Sequence, residues 1–574
     1  MILALLLLAA SLAFGWTAAA RVTKKNQLAY ALPFSVAAAA WSVFLCSLAI
    51  GFNDYSIVSA AALQAIAAYW LYKKSKPSLQ HDKQVAALLV FGLLLFTALQ
   101  YARFHYDDNG NLAGIPIDFG FHYAIITSMA NGNFPPQNPF YDGHAFNYYY
   151  LTHLYSAALL KGGLLLQVAS WIPIVFASAA FLALVYLLCR KLFPDKKHEA
   201  VAKLALVLIL LNGTLAFVTS QNQLFHNQLR GAGFPFENLL IDFFIINYSA
   251  ALGLALSAIA ILLVLNNEIR EGAFVTGLLP LINLPCFIIT ATALMFKEIN
   301  KKQIAILVIF SLPQIALLLN RNQNNLTLTT HFGWMASSQD LISIVVFWFN
   351  NLGPYLLLSL LALYLLKSKD ITRIWLALLP PVILANIFIF TPYAWDNFKF
   401  FLLFFIFTAI LAAYALVEIW NKSNAGKIVA ILLITIMTAT GFLSVATLLQ
   451  HSNGVIYTKA DLEACKWIDE NTPKDAVFLI DNDKIQSCLF ATSGRRVYLG
   501  FGEWLTNHGI DYSKQLAENR EMLAGNCSLI KEKKIDYAYF TPNVKPSKGL
   551  EDQSVEAYAR QSQVVLEICK NSLS

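Results

Sequence analysis

Charge is scarce in this chain of 574 residues: Asp, Glu, Lys and Arg together make up 13%, against about a quarter in soluble domains, while 57% of residues are hydrophobic. That balance excludes a soluble multidomain enzyme and an intrinsically disordered chain. There is no Walker loop and no GxGxxG, so nothing in the sequence supports work driven by nucleotide hydrolysis. There is no internal repeat and no low-complexity tract. Cysteine numbers only seven and shows no CxxC spacing, which excludes a disulfide miniprotein and makes zinc a weak alternative. The short alternating strands of a transmembrane barrel are missing too. What is present is long apolar runs. Windows of about 20 residues recur as far as about residue 450, each able to cross a hydrocarbon core of ~30 Å, and mean hydropathy is +0.56. The sequence therefore predicts an α-helical polytopic membrane protein. The net charge of +7 does not point to nucleic acid, because the basic residues lie mostly in loops between spans.

Those basic residues gather in alternate loops. Arg21, Lys24 and Lys25 follow the first run; Lys73, Lys74, Lys76 and Lys83 precede the fourth; Arg190, Lys191, Lys196, Lys197 and Lys203 form a third cluster. Lys297, Lys301 and Lys302, then Lys367, Lys369 and Arg373, then Lys422 and Lys427 continue the pattern. Lys and Arg accumulate on the cytoplasmic side, so these loops are expected inside and the N-terminus outside. Residues 1–20 lack a basic start and are followed at once by Arg21, which favours an uncleaved anchor over a signal peptide. Two weaker runs are expected not to cross: 148–167, read as a juxtamembrane helix interrupted by Lys161 and Gly162-Gly163, and 273–296, read as a hairpin of half-helices around Pro280 and Pro285. The remaining runs are 29–50, 56–72, 84–101, 169–190, 201–220, 242–266, 303–320, 341–366, 374–391, 398–420 and 427–449. With the first, they make about 12 crossings.

Four regions follow: an N-terminal membrane segment 1–101, an extracytoplasmic first loop 102–168, a membrane core 169–450 and a soluble domain 455–574. The loops near 221–241 and 321–340, the turn at 392–397 and the tail all fall on the outer side with loop 102–168. The tail reads as a small extracytoplasmic α/β domain, with helices over 461–471 and 511–523 and strands over 476–480 and 536–540. Cys46, Cys189 and Cys286 lie in spans as small apolar residues. Cys465, Cys488, Cys527 and Cys569 all lie in the tail, where an oxidising compartment would allow three pairings.

Chemistry concentrates in the outer loops. In Pro116-Ile117-Asp118-Phe119-Gly120-Phe121-His122, Pro suits a first helical turn, and the i, i+4 spacing would set Asp118 and His122 on one face. An ionised Asp at a helix start can accept a proton from a hydroxyl; the competing role is a simple helix cap. Asp107 and Asp108, in Asp107-Asp108-Asn109-Gly110-Asn111, are candidate divalent-cation ligands, although no closing Glu follows and an Asn-Gly turn accounts for the pattern. Tyr148 and Tyr149 are candidates to clasp a sugar or headgroup, with an interfacial aromatic belt the favoured reading. Lys399 is one of five basic residues expected outside before residue 450, with Arg103, Lys161, Arg230 and Arg321. Lys399 or Arg230 could neutralise a phosphate; the alternatives are a snorkelling Lys paired with Asp396 and a solvated Arg. His331 and Trp334 are weaker candidates.

Asp118-Phe119-Gly120-Phe121-His122, Gly132-Asn133-Phe134-Pro135-Pro136 and Asn147-Tyr148-Tyr149-Tyr150 resemble the first outer loop of archaeal and bacterial YYY-type membrane proteins and their relatives in the GT-C glycosyltransferase superfamily. Further similarity runs through Gly277-Leu278-Leu279-Pro280-Leu281, Pro313-Gln314, Gly333-Trp334, Trp395-Asp396-Asn397-Phe398-Lys399 and Trp467-Ile468-Asp469-Glu470-Asn471-Thr472-Pro473. The resemblance implies a GT-C-like fold in the cytoplasmic membrane of a prokaryote, an archaeon by preference. It implies a transferase taking a sugar from a polyprenyl-phosphate or polyprenyl-diphosphate carrier at the outer face, with Asp118 as catalytic base. Asn283 stands where it leads one to expect His, and Ile246-Asn247-Tyr248-Ser249 where relatives tend to carry Gln-Arg; both bear on donor phosphate. The expected reaction is inverting glycosyl transfer, Asp118 taking the acceptor's proton and Lys399, Arg230 or His122 stabilising the departing phosphate. A transporter or lipid flippase, suggested by the Pro-broken hairpin, and an inert assembly scaffold are the alternatives.

Overall fold

In the computed structural model of the chain, the structure describes residues 1–195, 197–219, 229–230, 232–297, 300–320, 328–480, 486–541, 544–560 and 563–569. Lys196, Arg321 and the Asn325-Leu326-Thr327 sequon, an outer glycosylation signal by sequence, lie outside the described residues. Among the described residues nine helices are long and apolar enough to cross a membrane: Ile2–Val22, Gln27–Ile50, Asp54–Lys74, Lys83–Arg103, Leu166–Leu192, Lys301–Leu319, Lys369–Ile387, Ala394–Lys422 and Asn424–Gln450. At ~1.5 Å rise per residue, the shortest of these reaches about 28 Å. The chain is a polytopic helical membrane protein.

Three of the expected straight crossings take another form. The run 201–220 is broken into a helix over His198–Leu210, 13 residues long or about 20 Å, and a single turn over Ala216–Thr219. The chain turns just after Leu210 because Asn212 bonds elsewhere: its amide donates to the Glu237 carbonyl at 3.0 Å and accepts from the Leu239 amide at 2.8 Å. The run 242–266 begins as a π-helix, Leu240–Ile246, bent by 107° from the helix Ala250–Leu265. The run 341–366 breaks by 84° between Leu341–Leu352 and Tyr355–Leu366. Gly353, with φ of +53°, and Pro354, which has no N–H to continue the ladder, make that corner. Leu341–Leu352 exposes Leu341, Ile342, Val345, Val346 and Phe349 along one apolar face. Counting each bent pair as one span gives up to 11 among the described residues, beside the about 12 crossings expected from the sequence.

The 273–296 stretch is two short helices, Ile269–Gly277 and Leu284–Leu294. Backbone left open between them needs partners at that depth. Gln314 provides them, donating to the Gly277 carbonyl at 2.7 Å and accepting from the Leu281 amide at 2.9 Å. Asn283 starts the second helix by accepting from the Cys286 amide at 3.0 Å.

The tail folds as expected around the strands Val477–Ile480 and Tyr537–Phe540 and the helices Lys459–Asn471 and Ser513–Leu523. Among the described residues its sheet has five strands, in the order Arg496–Val497, Val477–Ile480, Tyr537–Phe540, Gln563–Glu567, Val555–Arg560. The first three are parallel and the final hairpin antiparallel. Cys465 pairs with Cys488 and Cys527 with Cys569, which selects one of the three connectivities.

The first loop and the tail are built into each other. Strands Phe104–Tyr106 and Leu112–Gly114 form a small antiparallel sheet with Val455–Tyr457. Tyr141 bridges to Leu499 and packs in the tail's own apolar core. The loop thus lies at the same end of the molecule as the tail.

Candidate functional site

Asp118 ends the segment that enters the helix Phe119–Ala130. Pro116 lies before that helix, not in its first turn, because Asp118 adopts a left-handed conformation, with φ of +50°, that Asp tolerates better than most side chains. Its carboxylate makes no cap bond, so the capping role weighed for it is corrected. Asp118 Oδ1 instead accepts from Trp504 Nε1 at 3.2 Å. Trp504 is buried, edge-on to Phe121 and packed on Phe140 and Phe501. The helix must approach the tail closely to make this contact. A Cβ on Gly120 would sit 3.0 Å from the Trp504 ring and 3.1 Å from the Gln486 side chain, while the Gly120 amide donates to Gln486 Oε1 at 3.0 Å.

Asp118 and His122 line one cavity of about 330 Å³, together with Tyr148, Arg230, Asp396 and Lys399. Segments some 280 residues apart in the chain therefore meet at one place. A second cavity of about 310 Å³ lies against it and shares Phe121, Tyr148, Asp396, Lys399, Trp504 and His508 as common wall. Its other lining is largely apolar, including Phe146, Leu284, Leu318, Leu319 and Phe400; Tyr149 lines this second chamber. One compartment is polar and its neighbour is apolar.

Each candidate has defined company. Lys399 Nζ lies 2.8 Å from Asp396 Oδ1, both side chains mostly shielded. Arg230 grips Glu237 with two bonds, Nε to Oε1 at 2.9 Å and Nη2 to Oε2 at 3.2 Å, bonds the Tyr393 hydroxyl and lies over the Trp395 ring. The solvated-Arg alternative is thereby corrected: a bidentate carboxylate and an aromatic face hold the guanidinium. Tyr148 and Tyr149 are each 8% exposed and stacked on one another with centroids 4.1 Å apart. Burial against cavity walls corrects the aromatic-belt reading and pushes the Tyr148 phenol well above its ordinary value.

Asp107 and Asp108 lie at the tip of the first-loop hairpin. Asp107 closes the turn by accepting from the Asn109 and Asn111 amides at 2.9 and 2.8 Å and from Asn111 Nδ2 at 3.0 Å. Among the described residues no group of three or more His, Cys, Asp or Glu is placed to hold a metal ion. Trp334 is buried and donates to the Ala394 carbonyl at 2.8 Å, supporting the 394–401 turn from behind. Neither His331 nor Trp334 lines the two cavities, and Asn283 caps its helix outside them. Asn247 lines the polar chamber with its Oδ1 buried.

Several groups at this site escape sequence reasoning. Glu237 and Asp242 are both buried, and Asp242 lines the polar chamber from the π-helix. They are the only acidic residues between positions 201 and 266; Asp242, a charge at the start of the apolar run 242–266, carries a signal that could have found it, while Glu237 lies in the loop before it. Gln486, Glu503, Trp504, Asn507 and His508 come from the tail; no local pattern in the sequence distinguishes them. His122 Nδ1 lies 3.0 Å from Nε2 of His153, and burial pushes both imidazoles down, His153 to about 3.

Residues 35–234 match a protein-family model described as an uncharacterized membrane protein (DUF2298). The match includes the 118–122, 132–136 and 147–150 motifs and Arg230. No curated protein matches the chain. Among solved structures, the archaeal oligosaccharyltransferase AglB from Archaeoglobus fulgidus, in complex with an inhibitory peptide and a dolichol-phosphate, is similar at 13% identity and a TM-score of 0.40, covering 82% of this chain and 70% of that one.

Proposed function

We propose that the chain transfers a sugar from a polyprenyl-phosphate-linked donor to an acceptor hydroxyl, with Asp118 as general base. The observation that carries the reading is the pairing of a polar chamber, holding Asp118, His122, Arg230, Asp396 and Lys399, with an apolar chamber across a shared wall. A lipid phosphate has the same two-part chemistry, and Lys399 belongs to both chambers. In the proposed step the acceptor oxygen attacks the anomeric carbon as its proton passes to Asp118. The bond from that carbon to the carrier phosphate breaks with inversion, and the departing phosphate takes the charge beside Lys399. General-base assistance of this kind contributes about 10²–10⁴-fold. Arg230, already neutralised by Glu237, shapes the chamber more than it supplies net charge. The two disulfides support an oxidising, extracytoplasmic side for the tail, and hence for the cavity it helps to line.

Structure determination with a polyprenyl phosphate tests this reading. The phosphate is expected between Asp118 and Lys399 with the first isoprene units in the apolar chamber; a phosphate bound elsewhere overturns the assignment. The lipid-flippase alternative draws on the two bent helix pairs. Flux of a lipid-linked sugar across sealed vesicles, without any sugar transfer, would favour it.

A further inference from the structure

His153 is 0% exposed, and among the described residues its Nδ1 has no hydrogen-bond partner. Its other nitrogen, Nε2, faces His122 Nδ1 at 3.0 Å, with ring centroids 5.2 Å apart and planes 24° apart, an edge-to-edge approach suited to an in-plane hydrogen bond. His153 also stacks on Tyr248, with centroids 4.6 Å apart. One proton lies in the bond between the two neutral rings, and its owner sets both tautomers. If His122 donated, His153 would carry its proton on the buried Nδ1, an N–H with nothing to receive it. If His153 donates, its Nδ1 is a bare lone pair, which costs less to bury than an orphaned N–H. His122 then accepts at Nδ1 and carries its own proton on Nε2. His122 lines the polar chamber beside Asp118 and Lys399.

We propose that His153 is a positioning residue that fixes the tautomer in which His122 carries its proton on Nε2 and offers that N–H to an anionic oxygen in the polar chamber. The anionic occupant rests on the functional reading above; the tautomer does not. Burial keeps both rings neutral, so His122 serves as a hydrogen-bond donor and not as a cation. The arrangement turns a ring that can be donor or acceptor into a committed donor without adding charge next to Asp118.

The test is nitrogen NMR of the full chain labelled with [15N]histidine in nanodiscs, the His122 signals being assigned by their loss in His122→Asn. In the wild type, His122 should show a protonated Nε2 and a bare Nδ1. His153→Phe should convert this to a mixture of tautomers, and His153→Gln, whose amide can still donate, should restore the single form. A wild-type His122 protonated on Nδ1, or a tautomer unchanged in His153→Phe, overturns the proposal; the wild-type spectrum decides even if His153→Phe fails to fold. Farnesyl phosphate should shift the His122 Nε2 signal. Absence of that shift with the tautomer intact counts against donation to an anion and against the functional reading, whereas a wrong tautomer counts against the positioning alone.

Discussion

Trp504 of the tail donates its indole N–H to Asp118 Oδ1 at 3.2 Å, across 386 positions of sequence. The bond fixes the orientation of a carboxylate whose backbone, in the left-handed region, already turns it away from the helix it precedes. Trp504→Phe keeps the aromatic packing and removes the donor. A hydrogen bond to a charged group contributes about 1.5–3 kcal/mol, so kcat for sugar transfer should fall about 10- to 100-fold, with KM for the lipid donor near the wild-type value. Steady-state kinetics on the purified variant checks this.

Lys399 and Asp396 form a shielded pair, and removing one partner strands the other. Lys399→Met should lower thermal stability, and the double variant Lys399→Met/Asp396→Asn should recover part of it. Both should bind farnesyl phosphate at least about tenfold more weakly than wild type, since the charge-assisted contact is lost in each. Calorimetry of binding beside thermal melts separates the two effects.

The two disulfides should differ in consequence. Cys465–Cys488 anchors the short helix Cys488–Ala491, and this segment receives bonds from the Asp118-bearing helix: Thr127 Oγ1 to the Phe490 carbonyl at 3.0 Å and Asn131 Nδ2 to the Ser493 carbonyl at 2.8 Å. Cys527–Cys569 closes the far side of the tail. Replacing either pair by Ser should cost about 3 kcal/mol. Only the Cys465/Cys488 variant should also lower kcat, as measured by melts and transfer assays at a temperature where both remain folded.

The polytopic class was legible in the sequence because apolar runs with few charges have one physical outcome in a bilayer. The bends were not. Hydropathy cannot tell a straight 341–366 helix from one broken at Gly353-Pro354, and Asn212 stops a helix through partners that only the fold supplies. Loop 102–168 was recognisable as a place for chemistry because its ionisable groups are costly near a membrane. Asp242 was visible as a charge in an apolar run but not as lining the same chamber as Asp118. Trp504 and His508 carry no local signal, because their role depends on the tail docking against the first loop. Tyr148 and Tyr149 read as a belt because composition cannot distinguish an amphipathic ring at the interface from one buried in a cavity wall.

The buried imidazoles give the fold a pH signature. Burial depresses His153 from an ordinary 6.5 to about 3, so between those values the unfolded chain binds a proton that the native ring refuses. This contribution is fully present above pH 6.5 and declines as pH falls toward 3, by up to ~1.4 kcal/mol per pH unit. His153→Gln should flatten that limb while leaving the neutral-pH melt less affected, which thermal unfolding across pH 4 to 7 will show.

Sugar transfer by the purified protein in nanodiscs, supplied with a polyprenyl-phosphate-linked sugar, tests the central claim most directly when wild type is compared with Asp118→Asn. The account predicts turnover by the wild type and a loss of about 10²–10⁴-fold in the variant, with lipid-donor binding retained. Full transfer by Asp118→Asn, or none by the wild type across a panel of lipid-linked sugars, would contradict it.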